Sequence, residues 1–322
     1  MQYTLLGNTG ITVSRLCFGT MSFGGDADEA TSAAMFARCL DVGINFFDTA
    51  NAYSQGRSEE ILGRLLQGKR DELVITSKVA SAVGEGPNNR GLSRRHIMLQ
   101  VENTLRRLQT DRLDIYFVHH FDPKTPIEET LHALEDLVRQ GKILYPGVSN
   151  WAAWQIAKAL GTSARHAWAR FECIQPMYSH IKRQAEVEIL PLAQGEQLGV
   201  ISYSPLGGGL LTGKYLNAQP QEGRFLTNTA YQRRYSDQMY TDIAARFSEH
   251  AQAQGIHPAT LAVAWVMAHP AITAPIIGAR NVQQLEASLA AADLTLDAEQ
   301  VAVISALSYE PPPATDRSEE RK

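Results

Sequence analysis

The chain has 322 residues, 44% of them hydrophobic, 20% charged and 8% aromatic, a globular composition that excludes a disordered or fibrous protein. Lys and Arg number 30 against 34 Asp and Glu, and the net charge of −4 removes the basic field that non-specific nucleic-acid or anionic-membrane binding would need. The length admits either two ordinary domains or one α/β barrel, and the order of elements decides between them.

The opening MQYTLLGNTG has neither a basic region nor a long apolar stretch, so it does not read as a signal peptide. Tyr3–Leu6 and Ile11–Val13 flank the turn-forming Gly7-Asn8-Thr9-Gly10 and predict a small hairpin. Short apolar runs then appear at Leu16–Gly19, Ile44–Asp48, Leu73–Ser77, Leu113–Val118, Ile143–Val148, Phe171–Gln175, Gly199–Tyr203 and Ala274–Gly278, eight candidate strands. They are apolar on both parities, as strands buried on both faces of a parallel sheet should be. Helical periodicity fills the gaps, for example at Ser93–Leu108, with Ile97, Val101 and Leu105, and at Ile127–Arg139, with Leu131, Leu134 and Val138.

The starts recur at the spacing of a βα unit until the last, which is delayed by a Gly-, Arg- and aromatic-rich excursion over Leu206–Tyr240, read as rim rather than linker. A helix is expected at Pro258–His269, and Glu310–Lys322 is a polar, Pro-rich tail expected to fray. Residues 1–308 thus read as one domain and 309–322 as its tail. The longest helical apolar run, Leu261–Ala268, is far short of the ~20 residues of a membrane span. Cys17, Cys39 and Cys173 stand apart in apolar segments without a CxxC pair, as buried hydrophobes rather than disulfides or metal ligands, which fits a reducing, cytoplasmic setting.

Eight alternating units form either a closed (β/α)8 TIM barrel or an open doubly wound sheet. The open NAD-binding sheet should carry G-x-G-x-x-G after its first strand, but Leu16–Gly19 runs into Thr20-Met21-Ser22-Phe23-Gly24-Gly25, which favours the barrel. In a barrel the residues just beyond the strand ends form the active site. Asp48 ends the second strand, Tyr53 follows five residues later, Lys78 ends the third and His119 the fourth. Separately these are a helix cap, a rim aromatic, a solvated lysine and a core histidine. In a barrel they converge: a buried carboxylate keeps the lysine protonated, and that cation lowers the phenol pKa from about 10, making Tyr53 a general acid near neutral pH. A histidine across the pocket orients a carbonyl oxygen by hydrogen bonding.

The segments INFFDTANAY, LVITSK, RLDIYFVHHFDP, GKILYPGVSN, ISYSPLGGGLLTGKY and PIIGARNVQQLEASL closely resemble the aldo-keto reductases, in order and over about Tyr3 to Ser308. The resemblance implies an NADPH-dependent carbonyl reductase with Tyr53 as proton donor, Asp48 and Lys78 tuning it, and His119 orienting a small carbonyl substrate; His120 reads as structural or rim. It places Ser149, Asn150 and Gln175 on the nicotinamide carboxamide, Tyr203 on the nicotinamide ring, and Gly19, Thr20 and Asp48 near its ribose. Ser204, Pro205, Leu206, Gly208, Lys214 and Arg224 match the pyrophosphate-holding segment, where small residues and free N–H groups suit phosphate. Gly278 and Arg280 precede a helix starting near Asn281, whose N-terminus favours an anion; Arg280 suits a 2′-phosphate, with Gln284 and Ser288 toward the adenine.

The sequence departs from the family at three places. Gly278 and Gln284 stand where many members have Lys and Arg, so 2′-phosphate recognition falls mainly on Arg280. Ala287-Ser288 replaces a frequent Glu-Asn pair, and Met21 stands where a related branch has Trp, giving an adaptable pocket wall. Two rival motifs are weaker. Gly208–Lys214 spells G-x-x-x-x-G-K but is followed by Tyr215, without the hydroxyl a phosphate-binding loop gives to magnesium. Lys78 as a Schiff-base lysine is opposed by Asp48 and Tyr53 beside it. A second functional class is a regulatory NADPH-binding subunit resembling the potassium-channel β subunits, which share the barrel. Candidate pocket walls are Met21, Phe23, Trp151, Tyr178, the loop Val79–Leu92 and the excursion Leu206–Tyr240, in which Phe225, Tyr231 and Tyr235 sit among Arg224, Arg233 and Arg234; these arginines are either a solvated face or, if they face the pocket, suited to anionic or polar substrates.

Overall fold

A computed structural model describes residues 1–214, 229–315, 317 and 319. Two strands, β1 (Tyr3–Leu5) and β2 (Thr12–Ser14), pair antiparallel as the predicted hairpin. The next eight, β3 (Cys17–Gly19), β4 (Phe46–Asp48), β5 (Val74–Val79), β6 (Leu113–Val118), β7 (Ile143–Ser149), β8 (Cys173–Gln175), β9 (Gly199–Ser202) and β10 (Ala274–Ile277), pair in parallel in sequence order, and β10 returns to β3 to close a (β/α)8 barrel. All eight coincide with expected strands, with ends shifted by at most two residues. Around them lie α1 (Glu29–Asp41), α2 (Arg57–Leu65), α3 (Arg94–Leu108), α4 (Ile127–Arg139), α5 (Ala153–His166), α6 (Ile189–Gly195), α7 (Thr229–Arg234), α8 (Gln238–Ala253), α9 (Pro258–Ala268), α10 (Val282–Leu289) and α11 (Ala298–Ser305).

Local chemistry sets several of these boundaries. The Ser93 side chain accepts from the backbone N–H of His96 and starts α3; Asn281 accepts from Gln284 and starts α10. In α9, Pro258 occupies the first turn and nine of the eleven residues, Pro258 through Val266, are buried, so the helix lacks a polar face. Part of the rim excursion is helical. Among its described residues, Gly207–Thr212 forms a 3-10 turn, and α7 and the first residues of α8 are helical.

Apolar burial has two layers. A large cluster lies between strands and helices, and a smaller one, including Cys17, Phe46, Ile115, Phe117, Cys173 and Ile201, fills the barrel interior. Leu6 and Val13 of the hairpin belong to the interior cluster and are fully buried, so the hairpin closes the N-terminal end of the barrel. The close fit there requires glycine: a Cβ on Gly7, which has φ +55°, would lie 2.3 Å from the Gly199 nitrogen. Arg15 anchors the same end by donating to the carbonyl oxygens of Met267, Ile272 and Thr273. All three cysteines are free thiols and buried, as expected.

Candidate active site

The site starts from strand register. Asp48 lies opposite Gly19 on one side and Thr76 on the other. Side chains alternate along a strand, so Thr76 and Lys78 of β5 both point inward at Asp48, while Ser77 points outward to the fully buried Glu59 of α2. The Asp48 carboxylate accepts from Thr76 Oγ1 at 2.6 Å, Gln175 Nε2 at 3.0 Å and Lys78 Nζ at 2.5 Å. Lys78 also donates to the Thr49 carbonyl at 2.7 Å and to the Tyr53 hydroxyl at 3.3 Å. Lys78 is fully buried, an arrangement an ammonium tolerates only when paired and hydrogen-bonded.

The backbone just after Tyr53 is strained: Ser54 and Gln55 have φ of +47° and +58°, and Gly56 +94°. The turn leads into α2, where Glu59 holds it by accepting from Ser77, Thr104 and Arg107. His119 follows β6, its amide donating to the Val79 carbonyl, and its ring stands edge-on to Tyr53 with centroids 6.1 Å apart. Beyond β7, Asn150, at φ +56°, donates to the His119 carbonyl and to Ser149 Oγ, and accepts from the Tyr203 hydroxyl at 2.6 Å. Ser149 in turn donates to the Gln175 carbonyl, so the ends of β6 to β9 are tied together by side chains.

Electrostatics correct one expectation. Burial raises the Tyr53 pKa by more than the adjacent Lys78 lowers it, so the phenol stands above, not below, its ordinary value. Burial alone would lower Lys78, but the charges and hydrogen bonds of Asp48 and Tyr53 reverse this and hold the ammonium above its usual range. His119 is pushed down to about 3 by burial, then by the Lys78 charge and by His120, so its imidazole is neutral at physiological pH.

These groups open into a cavity of about 730 Å³ at the C-terminal strand ends, a size typical of small-molecule sites. Of the expected residues, Gly19, Met21, Asp48, Tyr53, His119, Asn150, Gln175, Tyr203, Ser204, Pro205, Leu206, Gly208, Lys214, Gly278, Arg280 and Gln284 line it, as do Tyr231 and Arg234, with His120 at its exposed rim. Others lie behind the wall. Thr20 is buried against Ser58 and the Asp48 carbonyl, and Phe23 packs in the core against Phe18. Trp151 packs between Phe121 and Phe171, Ser288 is buried, and Ser149 and Lys78 act through their hydrogen bonds. Tyr178 stacks on Trp265, Tyr235 is buried, Arg233 is exposed, and the loop Val79–Leu92 adds nothing to the lining. Arg224 and Phe225 lie outside the described residues.

Gly209 and Thr212 of the excursion and Ala287 beside Ser288 also line the cavity; Ser22, His257 and Gln283 line it as well and were not anticipated. His257, the N-cap of α9, had a local signal in the Pro258 that follows it, but only tertiary packing turns it to the cavity.

The lining fits a dinucleotide. Gly208 and Gly209 of the lining both have positive φ and present bare backbone to the cavity. A Cβ on Gly19 would meet Ile276 at 2.7 Å, so the backbone itself forms the wall there. Lys214 and Arg280 supply positive charge, and Arg280 immediately precedes the Asn281 cap of α10.

Comparison with known proteins agrees with this geometry. Residues 15–308 match the model of the aldo/keto reductase family. The chain is 41% identical over 310 residues to the uncharacterized oxidoreductase YrpG of Bacillus subtilis, covering 93% of each chain. It is 36% identical over 303 residues to a probable voltage-gated potassium channel subunit beta of Arabidopsis thaliana, covering 91% of this chain and 92% of the relative. With the aldo-keto reductase YhdN of Bacillus subtilis it shares 36% over 309 residues, 93% of this chain and 91% of the relative. With a closed barrel, a buried Asp-Lys-Tyr cluster at its mouth and a family match over most of its length, the chain belongs to the aldo/keto reductase family of oxidoreductases.

Proposed function

We propose that this protein is an NADPH-dependent carbonyl reductase that converts aldehydes or ketones to alcohols, with residues 1–308 as its catalytic domain. The observation that carries the reading is Lys78, whose ammonium bridges Asp48 and the Tyr53 hydroxyl beside the cavity. NADPH, when bound, would supply hydride chemistry at the carbonyl carbon. Tyr53 gives its proton to the carbonyl oxygen, and the resulting phenolate is stabilised by the ammonium 3.3 Å away. The raised phenol pKa keeps that proton in place at neutral pH, ready to be donated. Neutral His119, across from Tyr53, orients the carbonyl oxygen without competing as an acid.

Asn150 and Gln175 would hold the nicotinamide amide, with Ser149 bracing both; Tyr203 would stack on its ring, and Gly19 with Asp48 would border the ribose, a reading supported by their shared hydrogen bonds and by their place in or beside the lining. Ser204, Pro205, Leu206, Gly208, Lys214 and Arg224 would take the pyrophosphate, and Gly278, Arg280 and Gln284 the 2′-phosphate and adenine end. Purified protein should oxidise NADPH in the presence of aldehydes and ketones, and Tyr53→Phe should lower kcat by about 10²–10⁴. A Tyr53→Phe enzyme as fast as wild type overturns the mechanism.

A second reading, a regulatory NADPH-binding subunit, draws on the Arabidopsis relative. Tight NADPH binding with negligible turnover, together with co-purification of a membrane protein, would favour it. Among the described residues no helix is long and apolar enough to cross a membrane. The buried free thiols Cys17, Cys39 and Cys173 support a reducing, cytoplasmic location.

A further inference from the structure

The cavity wall has an uneven charge. Among the described residues that line it the one carboxylate is Asp48, already paired with Lys78, whereas Lys214, Arg234 and Arg280 are cationic. In a chain of net charge −4 this concentrates positive potential at one opening. Lys214 and Arg280 lie where the cofactor reading needs them. Arg234 is left over.

Arg234 ends the short helix α7, is half-buried, and faces the cavity. Its guanidinium carbon lies 5.2 Å from the centre of the Tyr231 ring, and among the described residues no carboxylate or carbonyl receives it. Tyr231 fixes that helix in place by packing on Gly208: a Cβ there would come within 2.8 Å of the ring edge. Arg234 also acts on the catalytic end of the cavity. Burial carries the Tyr203 phenol up to about 12 while the Arg234 charge works against it, and Tyr231 bears electrostatically on both Tyr203 and Tyr53. A half-buried guanidinium held by an aromatic face, with its fork of donors toward a cavity, is suited to bidentate capture of a carboxylate or phosphate.

We propose that Arg234 is a specificity residue, and that the carbonyl compound reduced in this cavity carries a carboxylate or phosphate that the Arg234 guanidinium receives. The proposal rests on the carbonyl-reductase reading above. The anion could instead belong to the cofactor, so the test separates the two sources.

The experiment compares kcat/KM with NADPH for 4-carboxybenzaldehyde and 4-formylphenyl phosphate against 4-formylbenzamide, which has similar shape and no charge. In the wild type the anionic aldehydes are preferred. In Arg234→Gln the anionic-to-neutral ratio falls about 10- to 100-fold, chiefly through KM. Arg234→Lys, which keeps the charge and loses the fork, recovers part of it. Arg233→Gln, exposed and outside the lining, leaves the ratio where it was. The NADPH Kd, read by fluorescence titration, changes by much less than the ratio in Arg234→Gln. A ratio unmoved by Arg234→Gln overturns the proposal, as does an equal effect of Arg233→Gln, which would mean general charge steering. A Kd for NADPH weakened as much as the ratio assigns Arg234 to the nucleotide and overturns it too. A wild-type enzyme that reduces none of the three aldehydes with NADPH or NADH overturns the carbonyl-reductase reading, and this inference with it.

Discussion

Lys78 and Asp48 form a buried ion pair whose desolvation is offset by a full set of hydrogen bonds, and removing one partner exposes that cost. In Lys78→Met the Asp48 carboxylate keeps Thr76 and Gln175 but loses its counter-charge, and the expected loss is about 3–5 kcal/mol of folding stability. Urea unfolding checks this, with Asp48→Asn combined with Lys78→Met recovering part of the loss. A single mutant as stable as wild type would mean that the pair is not buried as described. Asp48, Tyr53, Lys78 and His119 were legible in the sequence because each falls at or just after a strand end. The sign of the Tyr53 pKa shift was not: the lysine was visible as a neighbour, whereas the depth of the phenol depends on the walls that tertiary packing places around it. Thr20 and Phe23 show the same limit. They sit beside pocket residues in the chain, yet one turns to Ser58 and the other into the core.

At the scale of elements, the turn Gly207–Thr212 and helix α7 work as one unit. Gly208, at φ +69°, leaves room for the Tyr231 ring, whereas Gly213, at φ +76°, has nothing nearer than 3.5 Å to a Cβ. Both alanine substitutions carry the left-handed backbone cost of roughly 1–2 kcal/mol, but only Gly208→Ala also displaces Tyr231. Thermal unfolding should therefore show the larger loss in Gly208→Ala, along with weaker NADPH binding by fluorescence titration. Equal effects of the two would refute this coupling. Helices such as α3 and α4 were legible from their apolar period and caps, and α4 matched residue for residue. The helical character of α7 was not, because its six residues are too short to show a period and their order derives from Tyr231 packing on a glycine of another segment.

For the molecule as a whole, the histidines set an acid limit. Burial, more than any other influence, holds His180 at about 4 and His119 at about 3, both well below the ~6.5 of an unfolded chain. Between about pH 6.5 and those values the unfolded chain binds protons that the folded one refuses, so stability falls as pH falls. For fully buried His180 the slope approaches ~1.4 kcal/mol per pH unit. Chemical denaturation at pH 7.5 and pH 5 should show this loss, and His119→Asn should make it shallower; a pH-independent midpoint would contradict it. The barrel itself was legible because its eight strands are short, apolar on both faces and evenly spaced. The hairpin was legible as a hairpin, but nothing in its sequence said that Leu6 and Val13 would close the barrel's interior.

That closure governs traffic. With Leu6, Val13 and Arg15 closing the hairpin end, the cavity has its door at the C-terminal strand ends, and the described part of that frame includes His120, Tyr203 and Arg234. Two visitors that use one door must queue. On the reading proposed above, the visitor that seats against Asp48 and Gln175 would be first in and last out, an order that product-inhibition kinetics would reveal.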